Sequence, residues 1–202
     1  MKYSLKLNLP PIQIFSSILN IKERGVGVTL GENTRLVSLI GNRNNNFIQQ
    51  QELKKILNPL LYNNINSVNL ICVRTTYPHT HLGTGKSAIN WYLETNGETT
   101  SFYEGDDIID VSSKYFSEKD KAYIMPDPDK LKFVESFVAK ENESWLIDVS
   151  QPHSVCVDPN EKDWKRRYGD SGGVFRLALH VSFNLDFKTV RNNLSQYGTQ
   201  NG

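Results

Sequence analysis

Residues 175–183 read Phe175-Arg176-Leu177-Ala178-Leu179-His180-Val181-Ser182-Phe183. The period is two. Arg176, Ala178, His180 and Ser182 fall on one face, and Leu177, Leu179, Val181 and Phe183 on the other. Such a strand lays one side on a hydrophobic core and turns the other towards a polar interior. An arginine on that inner side is costly unless it meets an anion, and a planar guanidinium suits a carboxylate bidentately. A mostly β barrel with a polar lumen is therefore the first expectation.

Further strand-like runs lie at about residues 68–75, 87–95, 99–104, 122–125, 132–139 and 144–149, each bounded by Gly, Asn, Asp or Pro. Residues 3–9 alternate up to Pro10-Pro11. Residues 26–30 and 35–40 read as a short strand pair across Gly31-Glu32-Asn33. The best helix is 49–61, where Leu53, Ile56, Leu57, Leu60 and Leu61 recur at helical spacing, with Pro59 intruding near its end. A run of strands after one helix predicts an antiparallel sandwich or barrel with an N-terminal helical buttress. The whole chain reads as one domain, with strands and buttress at 1–64, the β core at 65–187 and a polar tail at 188–202.

The chain has 202 residues, with 23 basic against 22 acidic side chains and a net charge of +1. That balance gives no electrostatic reason to expect a nucleic-acid partner or an anionic membrane. No window approaches the roughly 20 apolar residues of a membrane helix. The segment Met1–Leu9 lacks the continuous apolar stretch of a secretory leader. Cys72 and Cys156 sit in apolar runs and read as buried thiols, which suits a soluble, reducing, cytoplasmic setting. Lys165-Arg166-Arg167, with Trp164 and Tyr168, reads as a solvated loop.

All four histidines lie in three segments: His79-Thr80-His81 after one strand, Pro152-His153 after another, and His180 in 175–183. In an extended chain His79 and His81 point the same way, so both can face one barrel mouth with Thr80 turned out. His153 then arrives from a distant strand, completing a candidate mononuclear metal site. His180 reads as a core residue or a neighbour of the ligands. Asn90 and Tyr92 share parity and can face the pocket, which leaves Trp91 to pack on the other side.

Two other motifs carry different chemistry. Gly83-Thr84-Gly85-Lys86-Ser87 looks like the tail of a phosphate-binding loop. It lacks the earlier glycine, because that position is Thr80, and residues 88–93 beyond it are strand-like rather than helical. Gly169-Asp170-Ser171-Gly172-Gly173 resembles the nucleophile loop of chymotrypsin-like serine proteases, with His79 or His81 and Asp106 or Asp110 as partners for Ser171. That protease is one alternative. A non-catalytic β-barrel serving as a binding or virion component is the other.

The pieces Tyr77-Pro78-His79-Thr80-His81, residues 86–93, Thr100-Ser101-Phe102-Tyr103, residues 145–155 and residues 175–179 succeed one another in an order similar to that of the 2-oxoglutarate- and Fe(II)-dependent dioxygenases. Within these they resemble the aspartyl/asparaginyl and prolyl hydroxylase-like proteins, including phage-borne forms. The resemblance runs from about Asn66 to Asn184. It implies a double-stranded β-helix, a jelly-roll or cupin-like barrel. It implies His79 as first metal ligand, His153 as distal ligand and Arg176 as partner of the far carboxylate of 2-oxoglutarate. Asn90 and Tyr92 would contact that co-substrate. His81 stands where the family usually has a carboxylate, which would give three imidazoles on the metal. The implied activity is that of an oxidoreductase: hydroxylation of a peptidyl side chain or a small metabolite, in the cytoplasm or in a phage-infected host cell.

Overall fold

A computed structural model describes residues 1–12, 28–29, 34–38, 46–73, 75–81, 85–105, 123–124, 126–161 and 176–194. The strands are β1 (Ser4–Leu7), β2 (Val28–Thr29), β3 (Thr34–Ser38), β4 (Ile65–Val73), β5 (Thr76–His81), β6 (Ser87–Glu94), β7 (Thr99–Glu104), β8 (Tyr123–Ile124), β9 (Lys132–Val138), β10 (Ser144–Ile147), β11 (His153–Cys156) and β12 (Arg176–Phe183). The helices are α1 (Asn46–Ile56), α2 (Pro59–Asn63) and α3 (Phe187–Asn193).

A seven-stranded sheet runs β1-β10-β6-β12-β4-β3-β2 and a five-stranded sheet runs β8-β5-β11-β7-β9. Successive core strands cross between them: β4, β6, β10 and β12 lie in the larger sheet, β5, β7, β9 and β11 in the smaller. All pairings are antiparallel, and they join first to last and inward: β4 with β12, β5 with β11, β6 with β10, β7 with β9. A long hairpin wound on itself in this way is a double-stranded β-helix. The jelly-roll, cupin-like architecture follows from that pairing order alone.

All of β12 is buried, yet its two faces differ. Leu177, Leu179, Val181 and Phe183 join Val68, Leu70, Ile89, Trp91 and Leu146 in an outer core, under Leu53, Leu57 and Leu61 of the first helical segment and Val190 of α3. Ala178 belongs to an inner core with Ala88, Tyr92, Phe102, Phe137 and Trp145, and the Phe137 and Trp145 rings stack at 3.9 Å. The helices thus cover the outside of the larger sheet and leave the space between the sheets for polar side chains. Both cysteines are buried, and neither is in a disulfide.

Two expectations need correction. The helix at 49–61 is two helices. Asn58 takes an extended conformation and accepts the Leu61 amide on Oδ1 (2.9 Å), capping α2 with Pro59 in its first turn. The segment from 188 is not all tail, because α3 extends to Asn193. Asp186 caps it, accepting the Thr189 amide at 2.8 Å and its hydroxyl at 2.9 Å, while Phe187 and Val190 face the core. The expected strand pair at 26–30 and 35–40 is present as β2 and β3. No described helix is long and apolar enough to cross a membrane.

Candidate metal centre

His79 and His81 do not come after a strand; they end one. β5 pairs with β11 so that His79 lies opposite His153, and the next aligned pair is Val155 with Thr76. Three steps on β5 therefore face two on β11. Pro78, which cannot donate to a ladder, occupies this irregular stretch. The extra residue re-aims the end of β5 towards the mouth of the barrel. The His81 amide is held by the Val149 carbonyl at 3.0 Å, next to the turn that leads into β11. Thr80, on the opposite face, is buried.

The three imidazoles converge. Ring centroids of His79 and His153 are 4.4 Å apart, those of His81 and His153 5.0 Å, and those of His79 and His81 5.2 Å. One nitrogen from each lies within 4.8 Å of the others. His79 Nδ1 donates to the Tyr77 carbonyl at 2.7 Å, and His153 Nδ1 to the Gln151 carbonyl at 2.9 Å. A carbonyl can only accept, so both rings carry their proton on Nδ1 and the lone pair on Nε2. Metal-bound histidines are oriented in this manner. His79 Nε2 and His81 Nε2 are 3.3 Å apart. Two nitrogens bound at about 2.0–2.1 Å to one ion stand roughly 3.0–3.5 Å from each other.

Charge state agrees with that geometry. Burial lowers His79 to about 4, against the opposing effect of the Tyr77 carbonyl. Burial also pushes His81 and His153 well below the ordinary imidazole value, and their neighbouring imidazoles push the same way. At neutral pH all three are uncharged donors, the form a metal requires. Three neutral nitrogens suit Fe, Zn, Ni or Cu better than Mg or Ca, which prefer oxygen.

Arg176 begins β12 and lies deeper in the barrel. Its Nη1 donates to Thr100 Oγ1 at 2.8 Å, its Cζ lies 5.3 Å from the centre of the Tyr92 ring, and its buried Nε has no partner among the described residues. It forms no ion pair with a carboxylate among the described residues: Glu104, for one, is engaged by Lys2 and Tyr3, and Asp148 by Ser150. On β7, Thr100 sits two residues from Phe102, the residue aligned with His153. The guanidinium is thus anchored about 7 Å along the strand from the histidine row.

Asn90 and Tyr92 face inward, in keeping with their parity. Asn90 Nδ2 lies 3.3 Å from the Tyr92 hydroxyl, and Asn90 Oδ1 accepts from His180 Nδ1 at 2.8 Å. Trp91 joins the outer core and donates to the Pro10 carbonyl at 3.3 Å. His180 lies beside the cluster, 5.9 Å from His81 between centroids, and is lowered to about 4 by burial. Thr100 is not among the site residues expected from the sequence, although the alternation of 99–104 places it on the inner face with Phe102.

No family model matches the chain, and no curated protein matches it. Among solved structures it is similar to vicilin from Corylus avellana (hazelnut), at 11% identity and a TM-score of 0.36, covering 76% of this chain and 29% of that one. It is similar to E. coli ycfD at 12% identity and a TM-score of 0.41, covering 77% and 35%. It is also similar to a recombinant oxalate oxidase at 10% identity and a TM-score of 0.25, covering 86% and 78%. The chain spans about a third of the length of the first two. The fold assignment rests on strand pairing, and the chemistry on the side chains above.

The protease alternative falls largely on residues that the structure does not describe. Ser171, Asp106 and Asp110 lie outside the described residues, as do Lys165, Arg166 and Arg167. Of its two candidate bases, His79 turns its Nδ1 proton to a backbone carbonyl, where a Ser-His-Asp arrangement needs a carboxylate. Gly83 and Thr84 of the phosphate-loop lookalike also lie outside the described residues. Ser87 begins β6 rather than a helix.

Proposed function

We propose that the protein is an Fe(II)- and 2-oxoglutarate-dependent dioxygenase that hydroxylates a peptidyl side chain or a small metabolite. The observation that carries this reading is Arg176: a buried cation inside the barrel, one donor unmet, with no carboxylate partner among the described residues. Burying a charge in that way is expensive unless an anion arrives.

His79, His81 and His153 would hold the metal through Nε2 of each ring. Ferrous iron with a 2-oxo acid would supply the chemistry by which dioxygen is reduced, the 2-oxo acid is decarboxylated to succinate and carbon dioxide, and a substrate C–H bond becomes C–OH. The protein's part is binding and orientation. Arg176 would grip the far carboxylate of the co-substrate, with Thr100 fixing one edge of the guanidinium and Tyr92 supporting its face. Three neutral imidazoles leave the two positive charges of the ion uncompensated, and a dianionic co-substrate supplies the opposite charge. Metal and 2-oxoglutarate should therefore bind cooperatively. Buried cysteines outside any disulfide and a ferrous requirement both suit a reducing cytoplasmic compartment.

Anaerobic titration with Fe(II) and 2-oxoglutarate tests the proposal. A weak visible charge-transfer band should appear only when both are present, and succinate release should begin on admission of air. Metal binding without the band would leave a cupin-like metal protein of other chemistry. Binding of neither would leave a non-catalytic barrel.

A further inference from the structure

The fourth histidine has a defined orientation that the proposed ligand set does not use. His180 stands on the inner face of β12, level with Asn90 on β6 and Asn69 on β4. Asn90 Oδ1 can only accept, so the 2.8 Å contact fixes the His180 proton on Nδ1. Asn90 is itself oriented by its amide contact with the Tyr92 hydroxyl at 3.3 Å. Asn69, the neighbour on the other side, spends its amide on Ser67 Oγ at 2.9 Å. His180 Nε2 is left as a lone pair on the ring edge away from Asn90, and no described residue meets it. The ring lies 5.9 Å from His81, yet His180 is not a member of the three-nitrogen group. It is too far out to be a fourth ligand in this arrangement and close enough to be reached through one intervening atom.

We propose that His180 is a positioning residue, whose Nε2 accepts a hydrogen bond from a water bound to the metal held by His79, His81 and His153. This inference rests on the reading of the three histidines as a metal centre. The relay Tyr92–Asn90–His180 sets the tautomer, and the tautomer sets the polarity: the pocket beside the metal receives an acceptor rather than a donor. A water held in that way has one proton directed at His180, so its remaining hydrogen-bonding capacity faces the open side of the pocket.

With only four histidines in the chain, nitrogen-15 spectra of histidine-labelled protein can be assigned ring by ring, using single substitutions. The probe is Zn(II) alone, added to the full-length protein without co-substrate. Before addition His180 should appear as the Nδ1–H tautomer with a bare Nε2. On addition, Nε2 of His79, His81 and His153 should move to metal-bound positions. The His180 Nε2 signal should shift upfield, as on accepting a hydrogen bond, without reaching a metal-bound position. Asn90→Asp retains an acceptor and should preserve the tautomer, whereas Asn90→Ala should give a mixture of tautomers and a smaller zinc-induced shift. If the three rings move and His180 does not, or if His180 carries its proton on Nε2, the positioning role fails while the metal centre stands. If the three rings themselves do not move, the metal centre fails and the inference with it.

Discussion

His153 and His180 are both buried, and burial costs each of them its charge. In the unfolded chain both would titrate near 6.5. In the fold His79 and His180 stay neutral down to about 4, and burial holds His81 and His153 well below the ordinary imidazole value as well. Between these limits the unfolded chain binds more protons, so stability must rise with pH there. Each histidine that titrates only on unfolding contributes up to about 1.4 kcal/mol per pH unit. The urea midpoint of the metal-free protein should be level above pH 7 and fall as pH drops from 6.5 towards 4. A midpoint indifferent to pH across that window would show that the rings are not buried as described. Added metal should displace the fall to lower pH, because protons must then compete with the ion. His153→Ala removes one of three candidate ligands, and metal affinity by equilibrium dialysis should drop by roughly 100-fold or more. Arg176→Met keeps most of the volume and removes the unpaired buried donor. Stability should change little or rise, while binding of 2-oxoglutarate to the metal-loaded protein weakens by about 2–5 kcal/mol on calorimetry.

At the level of elements, the strands that carry the histidines are harder to read from sequence than the one that carries Arg176. β12 is eight residues long and alternates cleanly, so its two faces are legible. β5 and β11 are six and four residues long, interrupted by Pro78 and preceded by Pro152, with a register shift between them. Period-two reasoning has too few residues there, and the proline signals mask the strand. The convergence of His79, His81 and His153 is still legible, because it needs only parity and a shared barrel mouth. Helix α3 is hidden among polar residues, although Asp186 with Thr189 is a capping pair and Phe187, Val190 and Leu194 recur at helical spacing. The same capping logic splits the first helical segment at Asn58. That side chain also reaches the Asn193 carbonyl at the end of α3, at 3.3 Å, so it ties α2 to α3. Asn58→Ala should therefore cost more than Asp186→Ala, about 2 against about 1 kcal/mol by chemical denaturation, with no change in metal affinity. Equal costs would mean that the α2–α3 link contributes nothing.

Across the whole molecule, the double-stranded β-helix separates stability from chemistry by the two faces of one sheet. Outside, helices press Leu177, Leu179, Val181 and Phe183 into a continuous apolar layer. Inside, Arg176, Ala178 and His180 lead from the guanidinium towards the histidine cluster. Adjacent residues of β12 should then respond in opposite ways. Leu179 is fully buried in the outer layer, and Leu179→Ala should lose about 2–5 kcal/mol of stability through the cavity it leaves. Its affinity for metal and 2-oxoglutarate should be unchanged at temperatures where it is folded. Ala178 lies on the inner face between Arg176 and His180, and Ala178→Phe places a ring in the space that the proposed co-substrate would cross to reach Arg176. That variant should cost about 1–3 kcal/mol by overpacking. It should still bind metal, because His79 and His153 are held by β5 and β11, yet show no charge-transfer band with 2-oxoglutarate. A 178 variant that folds, binds metal and binds the keto acid at full strength would place the chamber elsewhere and separate Arg176 from the metal centre.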